Sequence, residues 1–312
     1  MVRKHTIKMN NPKDITYKEL HSMYVKKCTV NNISLHTIAN YNSIYKAFNL
    51  FVDLENLKCK QINGNLIDDF KLFLRNKDIT DTTIHSYIKW LRVIIKYGQS
   101  LGYIPSFTIS DYKTIEKIKV IYTEKELKIL LKRPSRKSFG VYRNWVIINT
   151  LLATGIRSLE LLSLRIQDID FENNLLLVSR AKNKHQRYIP ISSVLQNILV
   201  EYLNIRGGKE NDYLFPNSYG EQLPSSTLRI NIIKYHRSRG IMKTSIHLYR
   251  HTFATMYLKN GGEIHTLAKL LGHSSLKQVQ TYLSLTNEDI KENFSNINPL
   301  DKLSNKHSIK LK

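Results

Sequence analysis

Cysteine occurs only twice in the 312 residues, at Cys28 and Cys59. Neither has partners at metal-ligand spacing, so neither a disulfide framework nor a zinc site is expected. The scarcity suits a reducing cytoplasm. Long apolar runs are missing as well. No stretch of about 18 apolar residues could cross a bilayer. The most apolar segment, Trp145 to Ala153, is short, contains Asn149 and reads as a buried core helix. The opening MVRKHTIKMN lacks the apolar centre of a secretory signal. There is no Walker A loop, which speaks against an ATP-driven motor. No paired carboxylates stand at a convincing metal-binding spacing.

Acidic residues are scarce relative to basic ones. Asp and Glu number 25 against 48 Lys and Arg, a formal net charge of +23. Residues 1–105 hold 16 basic and 8 acidic side chains and residues 106–312 hold 32 and 17, so the two parts carry +8 and +15. A basic tail alone would not produce this distribution. A long polyanion gripped along its length would, because each neutralised phosphate releases counterions. An AT-rich coding sequence inflates lysine but does not explain the shortage of acids.

Residues 14–105 read as all helical. Ile38, Tyr41, Tyr45, Phe48 and Val52 recur at +3 and +4, as one helix face does. Ile84, Tyr87, Leu91 and Ile94 repeat the spacing, with Asp81 as a candidate cap and Gly98 as a candidate stop. These aromatics read as core rather than as a base-stacking platform. Lys46, Lys89 and Arg92 fall on the other faces, where they suit phosphates or simply solvent. Pro105 closes this part, and residues 106–120 read as a linker. A second domain, 121–312 with a polar tail, opens at Thr123, where Glu126 completes a capping box. Helices are predicted over 123–132, 140–153 and 157–164. A small sheet follows, from Asp168 to Phe171, Leu175 to Ser179 and Arg187 to Ile191, with turns at Asn173-Asn174 and around Asn183. Helices resume from 192 to about 295.

Phosphodiester exchange needs a nucleophile, fixed cations, an acid and a base. Arginine suits the cationic role because its planar fork binds two phosphate oxygens at once. Four segments match such a design. ATGIRSLELLSL (153–164) breaks one apolar helix at a Thr-Gly turn and sets Arg157 at the junction, with Glu160 one turn on. HLYRHTFAT (247–255) puts His247 and Arg250 on one helix face. LAKLLGHSS (267–275) places His273 where a helix ends, and VQTYLSL (279–285) places Tyr282 nine residues later. Taken singly, each reads as well as an ordinary solvated helix, and Tyr282 is one of 18 tyrosines.

In this order and spacing the four segments resemble the tyrosine recombinase (phage integrase) family, including its Xer-type resolvases. The resemblance covers roughly residues 15–295. It implies a mainly α fold with a small antiparallel β-sheet, arranged as a two-domain DNA clamp: a helical, SAM-like core-binding domain over 1–105 and an α+β catalytic domain. SRAKNKHQRYIP is similar to the family's lysine hairpin, which implies Lys182 as the catalytic lysine with Lys184 as competitor. Two positions depart from the family pattern. Tyr249 stands where a leucine is usual, and the hairpin glycine before Asn183 is missing. Little chain precedes residue 14, so an arm-binding domain is not expected.

The resemblance further implies site-specific recombination of double-stranded DNA through a 3′-phosphotyrosine, for integration or excision of a mobile element or for Xer-type resolution. Tyr282 would be the nucleophile and His247 its base. A free phenol has a pKa of about 10, so the attack needs such help. Arg157, Arg250 and His273 would hold the phosphate, Lys182 would protonate the leaving oxygen and Glu160 would support the cluster. Neither a cofactor nor a metal is implied, and four subunits would join two DNA sites. Ile290, Phe294 and Ile297 mark an amphipathic segment within 286–300 that would dock on a neighbouring subunit or on its own chain. A type IB topoisomerase and a non-catalytic DNA-binding protein are the rival readings.

Overall fold

The computed structural model describes residues 14–113, 120–134, 138–179, 186–273, 275, 279 and 282. Lys182, Lys184, the segment 286–300 and the tail after Asp301 lie outside the described residues. The chain divides into two compact units, Met1–Lys117 and Ile118–Lys312.

The first unit is helical: α1 (Tyr17–Val30), α2 (Leu35–Asn49), α3 (Gly64–Arg75) and α4 (Asp81–Ser100). Each start is fixed by a side-chain cap that satisfies an orphan backbone N–H. Thr16 and Glu19 form a capping box on α1, and Ser34, Asn63 and Thr80 accept from Thr37, Leu66 and Thr83. Thr80, not Asp81, thus caps α4; its hydroxyl is one residue better placed to reach the third N–H of the helix. Gly98 does not end α4, which runs on to Ser100. Its missing side chain serves packing instead: a Cβ there would sit 2.7 Å from Ile104 and 2.8 Å from Leu20. Ile38, Tyr41, Ile44 and Phe48 bury one face of α2 against Ile84, Ile88, Leu91 and Ile94 of α4. The aromatic stripe is therefore core, as expected, although Val52 packs from beyond the end of α2. Phe107, Ile109 and Tyr112, in the stretch read as linker, also pack on this core. Lys46 and Lys89 are exposed, whereas Arg92 is paired with Asp111.

The second unit is built around α6 (Phe139–Thr154), preceded by α5 (Glu124–Leu130), whose Thr123–Glu126 capping box is formed. Tyr142, Trp145, Val146, Ile147, Ile148 and Leu151 are buried around nearly the whole girth of α6. A fully buried side chain of this size stabilises by roughly 1.5–3 kcal/mol, so α6 is the natural spine of the unit. Then come α7 (Ser158–Ser163) and three antiparallel strands in the order β1 (Ile169–Asp170), β2 (Leu175–Val178) and β3 (Arg187–Pro190). Leu176 faces Ile169 on one side and Ile189 on the other. Helices α8 (Ser193–Arg206), α9 (Ser225–Arg237), α10 (His247–Lys259) and α11 (Ile264–Leu271) complete the described fold. Among the described residues no helix is long and apolar enough to cross a membrane. Cys28 and Cys59 are buried thiols, and burial pushes that of Cys59 up to about 12.

Candidate active site

Two helix ends meet in the second unit, and arginines bind both. Helix α6 stops at Gly155, whose φ of +61° and crowded surroundings admit no side chain: a Cβ would strike Phe253 and lie 2.8 Å from Leu271. The chain turns there and α7 begins with Arg157 as its N-cap. Glu160 reaches back to accept from the Arg157 backbone N–H at 3.1 Å and from its Nη1 at 2.9 Å. Helix α11 stops at Gly272, φ +62°, which hands the chain to His273.

The last carbonyls of a helix lack intrahelical partners and carry the negative end of its dipole. At the end of α11 each of three successive carbonyls accepts from a different arginine. Arg187 Nε donates to Leu270 at 2.8 Å, Arg250 Nη2 to Leu271 at 2.8 Å and Arg157 Nη2 to Gly272 at 3.3 Å. Arg250 Nη1 also donates to the Gly155 carbonyl at 2.7 Å, tying the two helix ends together. Arg187 grips Glu160 with both terminal nitrogens, at 3.2 and 2.7 Å.

Two of these guanidinium groups bind Glu160, and the third, Arg250, binds carbonyls and His273, leaving a surplus of positive charge. Only 6 % of Arg250 and 3 % of Glu160 is exposed. Burial, followed by the charge of Arg157, pushes Arg250 down to about 10. It remains charged at neutral pH. Burial works to raise Glu160, but the bonds and charge of Arg187, with help from Arg157, outweigh it and hold the carboxyl below the usual glutamate range. A desolvated, preorganised cluster with excess positive charge is what a phosphate in transfer requires.

Arg250 Nη2 also lies 2.7 Å from His273 Nε2. Tyr282 is 6 % exposed and packs with Ala254, Leu258, Leu267 and Leu271. Its ring centroid is 6.3 Å from that of His273 and 5.3 Å from that of His251. Arg157, Glu160, Arg250, His273 and Tyr282 are thus brought together within one chain. His247 opens α10 and is exposed; it lines a cavity of about 580 Å³ with Ser158, Arg229, Thr244 and Ser245. Lys182 falls outside the described residues.

Sequence reasoning missed Arg187 and His251. Arg187 had a signal: it shares the inward face of β3 with the buried Ile189, and a cation on a core face needs partners. His251 had none, since nothing in HLYRH marks which turn of α10 meets Tyr282.

The sequence pattern of the phage integrase family matches residues 121–289. The chain belongs to the phage integrase family. The family's SAM-like domain matches residues 10–117. Among curated relatives, tyrosine recombinase XerC of Staphylococcus aureus is 28% identical over 284 residues, covering 88% of this chain and 94% of the relative. The crystal structure of XerA recombinase is 28% identical with a TM-score of 0.51, covering 90% of this chain and 99% of that one. The Tn1549 transposon integrase in complex with a circular intermediate DNA has a TM-score of 0.75 at 19% identity, over 91% of this chain and 100% of that one. XerH recombinase bound to a palindromic difH substrate has a TM-score of 0.71 at 22% identity, over 90% and 84%. These last two likenesses concern the fold. The chain is an Xer-like tyrosine recombinase.

Proposed function

We propose that this recombinase cuts and rejoins double-stranded DNA at a specific site, with Tyr282 as nucleophile. One observation carries the assignment: the arginines that clasp the end of α11 leave uncompensated positive charge beside His273 and the Tyr282 ring. In the proposed reaction Tyr282 Oη attacks the scissile phosphorus and gives its proton to His247. Arg157, Arg250 and His273 bind the non-bridging oxygens while charge grows on them. The bond from phosphorus to the 5′ oxygen breaks, and Lys182, by family likeness, protonates that oxygen. The products are a 3′-phosphotyrosine and a free 5′ hydroxyl. The bond energy is conserved, so a 5′ hydroxyl from a partner duplex can reverse the step without ATP.

Likeness to XerC and XerA, both named as recombinases, supports joining of two sites over relaxation of supercoils. Action as four subunits on two sites, in the cytoplasm with the DNA, is part of the same proposal. The core-binding role of residues 1–105, the linker 106–120 and the catalytic role of 121–312 belong to it too.

A suicide substrate nicked beside the cut tests the assignment. Wild type should accumulate a covalent protein–DNA adduct, and Tyr282→Phe should give none. An equal yield from the variant would remove Tyr282 from the reaction.

A further inference from the structure

We infer that Arg187 is a positioning residue for the recombination site, acting through Glu160 and the end of α11 without touching DNA. The inference rests on the functional reading above and adds a third arginine to it. Every nitrogen of the Arg187 side chain is already engaged: Nε with the Leu270 carbonyl, Nη1 and Nη2 with the two oxygens of Glu160. Its side chain is only 10 % exposed and that of Glu160 is 2 %. The Arg157 side chain, by contrast, is 28 % exposed. The two arginines thus divide the labour: one faces the substrate, the other holds the carboxylate that aims it.

The same side chain fixes the turn that delivers His273. A Cβ on Gly272 would lie 2.9 Å from Arg187 Nη1 and 3.1 Å from its Cζ, so the guanidinium packs closely against that turn. Arg187 opens β3, and β3 pairs along its whole length with β2. The edge strand β3, Glu160 on α7 and the α11–His273 corner are therefore joined by one planar group. Lysine cannot reproduce this, because one ammonium cannot serve a bidentate carboxylate and a carbonyl on its far side in fixed geometry.

Single-turnover cleavage of the nicked substrate at saturating DNA tests the inference. Arg187→Ala and Arg187→Lys should each slow cleavage by about tenfold or more, since small misplacements of catalytic groups have effects of that order. Half-site affinity should stay within about threefold, because no phosphate contact is lost. Glu160→Gln should slow cleavage too, and Arg187→Lys combined with Glu160→Gln should be no slower than the slower single variant, as expected of groups acting as one unit. Arg187→Lys keeps the charge and carries the cycle if the alanine variant does not fold.

Weakened binding at an unchanged rate would make Arg187 a DNA contact and overturn the inference. So would multiplicative effects in the cycle, or coupling seen in urea unfolding but not in cleavage. The unfolding cycle also separates this inference from the wider reading. If Tyr282→Phe still formed adduct, the nucleophile would be wrong, while coupling between Arg187 and Glu160 in stability would still be measurable.

Discussion

Arg250 Nη2 donates to His273 Nε2 at 2.7 Å. A guanidinium has no acceptor, so Nε2 of His273 is the accepting nitrogen of this bond. Arg250 also serves the carbonyls of Gly155 and Leu271. Its fork therefore organises two helix ends and an imidazole. Arg250→Lys would keep a positive charge and lose that fork. Adduct formation at saturating DNA should fall by about 10²–10³-fold, the usual loss for a preorganised donor in a charge-stabilising site. Half-site binding should change only a few-fold. A rate loss below tenfold would mean that charge alone suffices.

Glu160 gives the protein a defined acid sensitivity. Its folded carboxyl is held below the usual range, by the bonds and charge of Arg187 acting against burial. A depressed carboxylate contributes stability that is complete above its unfolded pKa, near 4.3. That contribution is lost as the pH falls through the folded value. Wild type should therefore lose urea stability below about pH 4.3 more steeply than Glu160→Gln. At pH 7 the variant should be less stable by about 3 kcal/mol, because it leaves the largely buried Arg187, and the half-buried Arg157 beside it, without their carboxylate. Parallel acid limbs for the two proteins would show that Glu160 is not the titrating support.

Gly98 separates packing from propensity. On an exposed helix, Gly→Ala stabilises by up to about 1 kcal/mol. Here the added methyl meets Ile104 and Leu20 at 2.7–2.9 Å. Gly98→Ala should then destabilise the first unit by about 1–3 kcal/mol, as overpacking does. A rise in melting temperature would show that this contact yields easily.

The helices of both units were legible because apolar residues recur at 3.6-residue spacing and caps stand at their starts, as at Thr123 and Glu126. The sheet was legible from the strand character of Leu175 to Ser179 and Arg187 to Ile191 and from the turn at Asn173-Asn174. Gly98 was misread because a glycine near a helix end looks the same whether it stops the helix or admits a neighbour. Only the position of Ile104 in space distinguishes the two. Arg157, Glu160, Arg250, His273 and Tyr282 could be named from local motifs, and they do converge. What no local pattern contains is the clasp itself: three carbonyls at 270–272, met by arginines from positions 157, 187 and 250. Backbone acceptors have no residue type, so sequence cannot announce them.

Tyr249, where the family usually has leucine, has a structural partner. Its hydroxyl lies 2.7 Å from Nε2 of His236, and His236 Nδ1 lies 2.6 Å from the Lys243 carbonyl. A carbonyl can only accept, so Nδ1 carries the proton and Nε2 accepts from Tyr249. Both side chains are fully buried, and burial holds His236 below the usual histidine range, in its neutral form. Tyr249→Phe keeps the ring but leaves Nε2 without a donor, which should destabilise by about 1–3 kcal/mol. Tyr249→Leu should lose more, since it also opens a cavity against Tyr122, whose ring centroid is 4.7 Å away. Cleavage by folded protein should stay within a few-fold of wild type in both variants, because neither Tyr249 nor His236 bonds to the arginine clasp. Urea unfolding read beside adduct formation checks this. A large rate loss in Tyr249→Phe at unchanged stability would mean that the Tyr249–His236 pair tunes the chemistry and does not merely anchor α10.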